Sequence, residues 1–353
     1  MSNIKIMHLL QSNRFSGAEN VVCQIIKMFE IDKDIEMAYC SRDGQIRNSL
    51  AERNIKFFPI KDLTIIEVKK VVSKYKPDII HAHDMRASVI AACATRNIPI
   101  ISHIHNSDFM SRKLSIKSFL YYMFSWKYRH IIWVSNSCYT GYYFHEKMRN
   151  KSTVLYNIVN KKDILMKANT PYKGPHYDVV YIGRLAEPKN PQRLMHIINI
   201  LCSINPDVQV AVVGQGVLED ETKALSIELK LDNNVSFLGF MSNPLTVLAH
   251  SKILVLTSDR EGTPMVALEA MALNKPIVST PTDGLCELVT VGKTGFLDDD
   301  NNSFAEHLNQ LLESKEKYDS FEYEVEKKFS EFNNEEKYYR KIKELYEKSK
   351  SIS

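Results

Sequence analysis

Short runs of β-branched and aliphatic residues alternate with longer amphipathic stretches along almost the whole chain. In the first half the runs fall at 4–10, 35–41, 55–60, 78–83, 98–104, 130–135 and 152–156. Helical patterns lie between them, at 18–30, 64–76, 86–96 and 136–148 among others. A β-α-β-α rhythm with strands this short implies a parallel sheet covered by helices on both faces.

The rhythm breaks at 161–177, a polar stretch with two prolines, a glycine and no apolar period, which reads as an interdomain linker. It then restarts, with runs at 178–183, 208–213, 235–240, 253–257 and 275–280. The 353 residues suit two domains of roughly 100–200 residues each. The expected division is an N-terminal domain over 1–165, a C-terminal domain over 178–330 and a terminal helix over 331–353. In that tail Tyr338, Ile342, Leu345 and Tyr346 form a helical stripe. The stripe suits either a solvated terminal helix or one that docks back on the N-terminal domain. Two doubly wound halves place a ligand at the C-terminal ends of the strands, in the cleft between the domains.

Composition excludes several classes. With 44% apolar and 25% charged residues the chain is neither disordered nor fibrous. Cys23, Cys40, Cys93, Cys138, Cys202 and Cys286 lie far apart with no C-x-x-C pair, which argues against a zinc or thioredoxin-type site and for a reducing compartment. Met1-Ser-Asn leads directly into the first strand, so no signal peptide is expected, and no apolar run reaches the 18 residues a membrane span needs. The expected location is the cytoplasm.

The most informative stretch is Glu261-Gly-Thr-Pro-Met-Val-Ala-Leu-Glu269, after the run 253–257 and the loop Ser258-Asp-Arg. Thr263 suits a helix N-cap and Pro264 the first turn, and the helix should end at Asn274-Lys-Pro276. Glu261 then precedes the helix and Glu269 lies inside it. Exposed amides around Gly262, Thr263, Met265 and Val266, with Pro264 between them lacking an N–H, suit an anion such as phosphate. Two carboxylates beside a phosphate site make sense as acceptors for hydroxyls, which sugars supply; a surface helix with solvated glutamates has the same spacing. Gly183-Arg-Leu-Ala-Glu-Pro-Lys-Asn190 is a strand-to-helix loop whose Arg184 and Lys189 can neutralise a diphosphate without a metal, although basic loops are common. Gly214-Gln-Gly216 suits a tight turn or a phosphate contact. Ser16-Gly-Ala-Glu19 follows the first strand, and Gly17 lets the backbone approach a ligand.

His81 and His83 end one strand and His103 and His105 another, each pair on one face. Four histidines invite a metal reading, but no carboxylate cluster accompanies them, and hydroxyl-binding or proton-handling histidines also sit at strand ends. Asp298-Asp-Asp300 is followed by Asn-Asn and reads as a polar loop.

Together these motifs resemble the retaining glycosyltransferases of family 4, which have the two-domain GT-B fold. Glu261 and Glu269 reproduce the E-x7-E motif, Gly183–Asn190 is similar to the G-R-L…K-G/N motif, and Gly284 to Gly295, with Glu287 between, resembles the segment that follows. The resemblance implies an α/β GT-B fold of two Rossmann-like domains and transfer of a hexose-type sugar from a nucleotide sugar with retention, requiring neither cofactor nor metal. It implies that Arg184 and Lys189 hold the diphosphate and that Glu269 binds the ribose. Glu261 would contact the donor sugar, without serving as a covalent nucleophile. The amides at 262–266 would support sugar and phosphate, and Gly239 and Phe240 would lie near the base. Gly17 would approach the diphosphate and His105 the reacting sugar. The chain departs from the pattern at Ser16-Gly17, where Gly-Gly is usual. UDP is preferred over GDP. A sugar-nucleotide epimerase or phosphorylase, and a non-catalytic sugar-nucleotide-binding subunit, are the competing readings.

The net charge of +4 conceals an asymmetry. Residues 1–170 carry 26 Lys and Arg against 14 Asp and Glu, and the remainder 20 against 28, so +12 is offset by −8. A basic first half suggests an anionic partner there. Within 109–133, Arg112, Lys113, Lys117, Lys127 and Arg129 alternate with Phe119, Leu120, Tyr121, Phe124 and Trp126. That pattern suits a helix lying on an anionic lipid surface, or a core helix with snorkelling lysines. The expected acceptor is a glycan or lipid-linked glycan met peripherally at the cytoplasmic membrane face, as in bacterial surface-polysaccharide assembly. No helix-turn-helix, RNA-recognition or zinc signature points to nucleic acid.

Overall fold

The computed structural model describes residues 4–106 and 109–350. Residues 1–3 and 351–353, which the expected boundaries 1–165 and 331–353 take in, lie outside the described residues, as do 107–108. The chain forms two compact units, Met1–Ile158 with Glu335–Ser353, and Val159–Asn334.

In the first unit, β1 (Ile4–Leu9), β2 (Ile35–Arg42), β3 (Phe57–Ile60), β4 (Ile79–His83), β5 (Ile100–Ile104), β6 (Tyr128–Trp133) and β7 (Ser152–Val154) form one parallel sheet in the order β3-β2-β1-β4-β5-β6-β7. The chain winds outward from β1 to β3, then returns to β4, so the order reverses between β1 and β4. Met7, Leu9, Ile80, Ala82, Ile104, Ile131 and Trp133 share a core with Val68, Val71, Ala91 and Tyr121 from the helices Ile65–Tyr75, Asp84–Ala94 and Ile116–Met123. Thr64 starts the first of these by accepting the Glu67 N–H, and left-handed Lys76 ends it.

The opposite face is partly polar. It carries His8, His81, His83 and His103, all fully or almost fully buried. The helix Glu335–Lys350 belongs to this unit and lies against β4. Its stripe Tyr338, Ile342, Leu345 and Tyr346 is buried; the Tyr346 ring meets Phe29, and its hydroxyl lies 2.7 Å from His81 Nδ1.

In the second unit, β8 (Tyr177–Ile182), β9 (Val210–Val213), β10 (Val235–Gly239), β11 (Ser251–Leu256), β12 (Ile277–Ser279) and β13 (Gly295–Leu297) form a second parallel sheet, ordered β10-β9-β8-β11-β12-β13. Here the reversal falls between β8 and β11. Val179, Tyr181, Val210, Val212, Ile253 and Val255 pack with Leu194, Ile197 and Ile198 of the helix Pro191–Ile204.

Several local expectations need correction. The stretch 161–177 is not a linker throughout: Asn160 caps a helix, Lys161–Ala168, that buries Ile164 and Ala168 inside the second unit. Two buried residues in eight leave little apolar period to read. The pattern at 136–148 breaks into Asn136–Thr140 and a 3-10 segment, Glu146–Lys151, because Gly141 ends the helix and Tyr142 turns into the core. The three-residue β13 is too short to show a period. The helix after Glu261 starts at Met265 with Pro264 at its cap, one residue later than a Thr263 cap implies.

Between 109 and 133 the core-helix reading holds for one side of the helix only. In Ile116–Met123 only Ser118 and Tyr121 are buried, whereas Leu114, Ile116, Phe119, Leu120, Met123 and Trp126 are exposed. Three residues of the basic-aromatic pattern face inward, and Phe124 packs against the core. Tyr121 bonds Ser102 Oγ at 2.7 Å, and Lys127 donates to the carbonyls of Ala92 and Thr95 at the end of Asp84–Ala94. Among the described residues, no helix is long and apolar enough to cross a membrane.

Tyr346→Phe keeps the packing of the C-terminal helix but strips His81 Nδ1 of its partner. A lost bond to a buried group should cost about 1–3 kcal/mol. The expected result is a lower denaturant midpoint with an unchanged slope; an unchanged midpoint would contradict the assignment.

Candidate functional site

Strand order sets the site. In an open parallel sheet the loops leaving two neighbouring strands in opposite directions splay apart at the reversal, leaving a crevice at their carboxyl ends. In the second unit those are the loops after β8 and β11. Thr257 Oγ1 donates to the carbonyls of Lys189 and Asn190, both at 3.0 Å, and Asp259 N donates to Pro188 O at 3.1 Å. Asn190 Nδ2 donates to Asp259 Oδ1 at 3.0 Å. Asn190 sits in the left-handed region at φ 48°, and its side chain accepts the Arg193 N–H to start the helix Pro191–Ile204. Asparagine tolerates that backbone better than most residues.

This framework brings Lys189 to Glu261. The ammonium pairs with Glu261 Oε1, and the two side chains are only 19% and 12% exposed. Ser258 Oγ donates to the same oxygen at 2.8 Å. Glu261 is thus oriented from two sides while its Oε2 carries neither bond. Arg184, on the same loop, is exposed, and its carbonyl accepts the Tyr181 hydroxyl at 3.1 Å.

The stretch after Glu261 is held by close backbone packing. Gly262, Thr263, Pro264 and Met265 are buried and Val266 is half-buried. A Cβ on Gly284 would fall 1.1 Å from Gly262 O, so only glycine lets Asp283–Leu288 begin where it does. Glu269 lies one turn into Met265–Ala272. Part of its surface remains accessible, yet surrounding protein pushes its carboxyl up to about 7, with Lys167 of the helix Lys161–Ala168 pulling the other way.

The neighbouring tips continue the row. Gly214-Gln-Gly216 lies flat on the β8 loop: Cβ atoms at Gly214 and Gly216 would come within 1.9 and 2.0 Å of the carbonyl oxygens of Gly183 and Leu185. Close packing thus explains these glycines without a phosphate. Gly239 ends β10 at φ 65°, its carbonyl accepts the Gly214 N–H at 2.8 Å, and Phe240 beyond it is 74% exposed. Arg184, Lys189, Gly239, Phe240, Glu261 and the 262–266 stretch therefore lie at the tips of β8, β10 and β11, with Gly214-Gln-Gly216 at the tip of β9 between them and Glu269 in the helix that follows.

Asp298–Asp300 does structural work. Asp300 caps Asn301–Glu313, Asp298 Oδ1 accepts the Asp300 N–H, and Asp299 pairs with Arg193 at 2.7 Å.

The first unit has its own reversal, between β1 and β4. Gly17 is the exposed first residue of Gly17–Met28. Ser16 Oγ donates to Glu19, which is 3% exposed and whose carboxyl is raised by burial, with Asp84 adding to the rise. Asp84 directly follows β4 in a left-handed conformation, φ 68°, and its Oδ1 accepts the His105 backbone N–H at 2.9 Å. His105 stands just beyond β5.

Register explains the histidines. His8 is paired with His81 and His83 with His103 across adjacent strands, so the pleat turns all of them, with His105, to one face. Nitrogens of His8, His81 and His83, and of His83, His103 and His105, lie within 4.8 Å of one another. However, His8 Nδ1 meets His83 Nε2 at 3.0 Å and His83 Nδ1 meets His105 Nε2 at 2.8 Å. Ring nitrogens aimed at each other do not converge on a common point about 2.0–2.1 Å from each, as ligands of one ion must. The set fits a hydrogen-bonded array better than a metal centre.

Sequence reasoning gave no role to Glu19, Asp84, Lys167 or Ser258. Ser258 three residues before Glu261 was a usable signal; nothing in the sequence marks Asp84 as left-handed.

Comparison with known proteins agrees with the fold. Residues 16–163 match the model for Glycosyltransferase Family 4, and residues 163–328 that for Glycosyl transferases group 1. An uncharacterised glycosyltransferase of Methanocaldococcus jannaschii is 28% identical over 301 residues, 74% of this chain and 73% of the relative. The UDP-Gal:alpha-D-GlcNAc-diphosphoundecaprenol alpha-1,3-galactosyltransferase of Escherichia coli is 26% identical over 350 residues, 89% of each chain. The crystal structure of Anabaena HepE in complex with UDP-glucose superposes with a TM-score of 0.83 at 22% identity, covering 98% of this chain and 100% of that one. The chain thus belongs to the glycosyltransferases of GT-B fold, with a family 4 N-terminal half and a group 1 C-terminal half.

Proposed function

We propose that this glycosyltransferase moves a hexose-type sugar, with retention, from a UDP-sugar to a glycan or lipid-linked acceptor at the cytoplasmic membrane face, in surface-polysaccharide synthesis. The observation that carries the reading is the Lys189–Glu261 pair at the β8–β11 reversal, with Glu269 one turn into the adjoining helix. UDP-glucose in the HepE complex and the UDP-Gal donor and diphosphoundecaprenol acceptor in the Escherichia coli relative's name support the donor and acceptor classes.

In this reading the diphosphate lies across the row of strand tips. Lys189 and Arg184 meet its oxygens, and Glu269 accepts the ribose hydroxyls. Glu261 Oε2 accepts a hydroxyl of the donor sugar while Lys189 and Ser258 hold its other oxygen. Phe240 offers a stacking face to the base. As the bond from the anomeric carbon to the diphosphate breaks, charge grows on the leaving oxygen, where Lys189 and the 262–266 amides are already oriented. The acceptor hydroxyl forms the new bond on the same face and gives its proton to the leaving diphosphate. Two cations and oriented amides meet the charge requirement without a metal.

The exposed Leu114, Ile116, Phe119, Met123 and Trp126, beside the exposed basic residues Arg112, Lys113, Lys117 and Arg129, support the membrane contact. An apolar patch ringed by cations suits an anionic lipid surface. Sedimentation with phosphatidylglycerol vesicles at low salt should capture the protein, and Ile116→Ser with Trp126→Ser should release most of it. No capture, or equal capture of the variant, would remove this contact.

Donor binding should depend on pH through Glu269. Its unliganded carboxyl titrates at about 7, and hydroxyls donating to it favour the ionised form, so binding releases a proton below that value. Affinity for UDP-glucose, whose diphosphate does not titrate there, should rise from pH 6 to pH 8 in calorimetry. Glu269→Gln should flatten the slope, and Glu269→Ala should cut turnover by about a hundredfold or more. A pH-independent wild-type affinity, or full turnover in Glu269→Ala, would reject the assignment.

A further inference from the structure

Histidines from four adjacent strands meet on one face of the first sheet. His8 lies on β1, His81 and His83 on β4, His103 on β5 with His105 just beyond it, and His130 on β6. His130 joins the others because its neighbour Ile131 faces the aliphatic core on the opposite side. His8, His83 and His105 meet edge to edge in a line, through N···N contacts of 3.0 and 2.8 Å. His81 and His103 stack on the line, with centroids 4.5 Å from His83 and 4.4 Å from His105.

This layer has no countercharge. Among the described residues, the charges acting on His8, His81, His83, His103 and His105 are only those of one another. His8 Nε2, His81 Nε2, His105 Nδ1 and both nitrogens of His103 are buried without a partner. A proton added there becomes a desolvated cation among other imidazoles. Burial accordingly holds His8 and His105 down to about 3 and His130 down to about 4, and the other three well below their ordinary value.

The helix Glu335–Lys350 covers the layer from the far end of the chain. Tyr346 lies 2.7 Å from His81 Nδ1, and Lys341, Glu344 and Lys348 act on His130. Glu344 is the carboxylate brought to that ring, and both lysines already hold it. The helix otherwise turns inward the buried stripe Tyr338, Ile342, Leu345 and Tyr346, and its Tyr339 and Lys343 hold Asp32. On the remaining sides, Glu19, Cys23, Tyr39 and Cys40 couple to one another, and Asp84 bonds the His105 backbone.

We propose that Glu335–Lys350 is an acid-sensitive cover: protons taken up by the imidazole layer release this helix from the first sheet, while the strands and their aliphatic face stay folded. Covered rings stay neutral, whereas uncovered rings bind a proton near the ordinary value of 6.5. Below that value the released state therefore binds more protons than the docked one. Docking is at full strength above about pH 7 and weakens as pH falls through 6.5. Each ring uncovered weakens it about thirtyfold at pH 5.0. The helix is the element that leaves because side chains hold it. The strands are joined by backbone ladders and packed on a core that acid does not charge.

The test is hydrogen–deuterium exchange of the full-length protein at pH 7.5 and 5.0, read by mass spectrometry and corrected for the intrinsic exchange rate. Peptides from 335–350 should lose at least about a hundredfold in protection at pH 5.0, whereas peptides from Ile65–Tyr75 on the aliphatic face should keep theirs. Unchanged protection of the helix, or an equal loss in both segments, would overturn the proposal. His103→Phe keeps a ring in the stack, breaks no hydrogen bond and removes one proton site. It should restore about tenfold or more of the lost protection. A folded variant that loses as much as the wild type would overturn the assignment of the trigger to this layer. If the variant does not fold, the two wild-type segments still decide.

Discussion

The ion pair between Lys189 and Glu261 is the interaction on which the second unit's site depends. It joins the loops of two strands from which the chain departs in opposite directions, and it is mostly sheltered from water. Removing one partner of such a pair leaves an uncompensated charge, which is costly. Its neighbours fix it. Thr257 ties down the backbone of Lys189, Ser258 orients the carboxylate, left-handed Asn190 turns the chain into the next helix, and Gly284 lets the stretch at 262 close without overlap. In the proposed reading a diphosphate meets a lysine already held in place, so little reorganisation accompanies the build-up of charge.

The first unit solves a different problem. One face of its sheet is an ordinary aliphatic core, whereas the other buries imidazoles between the sheet and the C-terminal helix. Desolvation makes charge on them expensive, and edge-to-edge bonding joins His8, His83 and His105 without it. Tyr346 extends that satisfaction to His81, so the last helix serves as cover for a polar layer.

Much of this was legible in the sequence because it rests on period and spacing. Short apolar runs marked nearly every strand, and the eight-residue step from Glu261 to Glu269 placed one carboxylate before a helix and one inside it. What escaped notice depends on features without a period. Lys161–Ala168 buries too little to stand out from a linker, and β13 is three residues long. The roles of Asp84 and Lys127 follow from which backbone atoms the fold brings near them. The histidines were visible as pairs, but their line was not, because it runs across β1, β4 and β5 through a register that only the folded sheet defines.

The central claim is that the β8–β11 reversal holds a nucleoside diphosphate through Lys189 without a metal. Its most direct measurement is calorimetric titration of UDP, in EDTA, into the wild-type protein and Lys189→Met. The account predicts that the wild type binds in the chelator and that the variant binds at least about tenfold more weakly, the loss of one charge-assisted contact. Binding that appears only on adding a divalent cation, or that is equal in Lys189→Met, would contradict it.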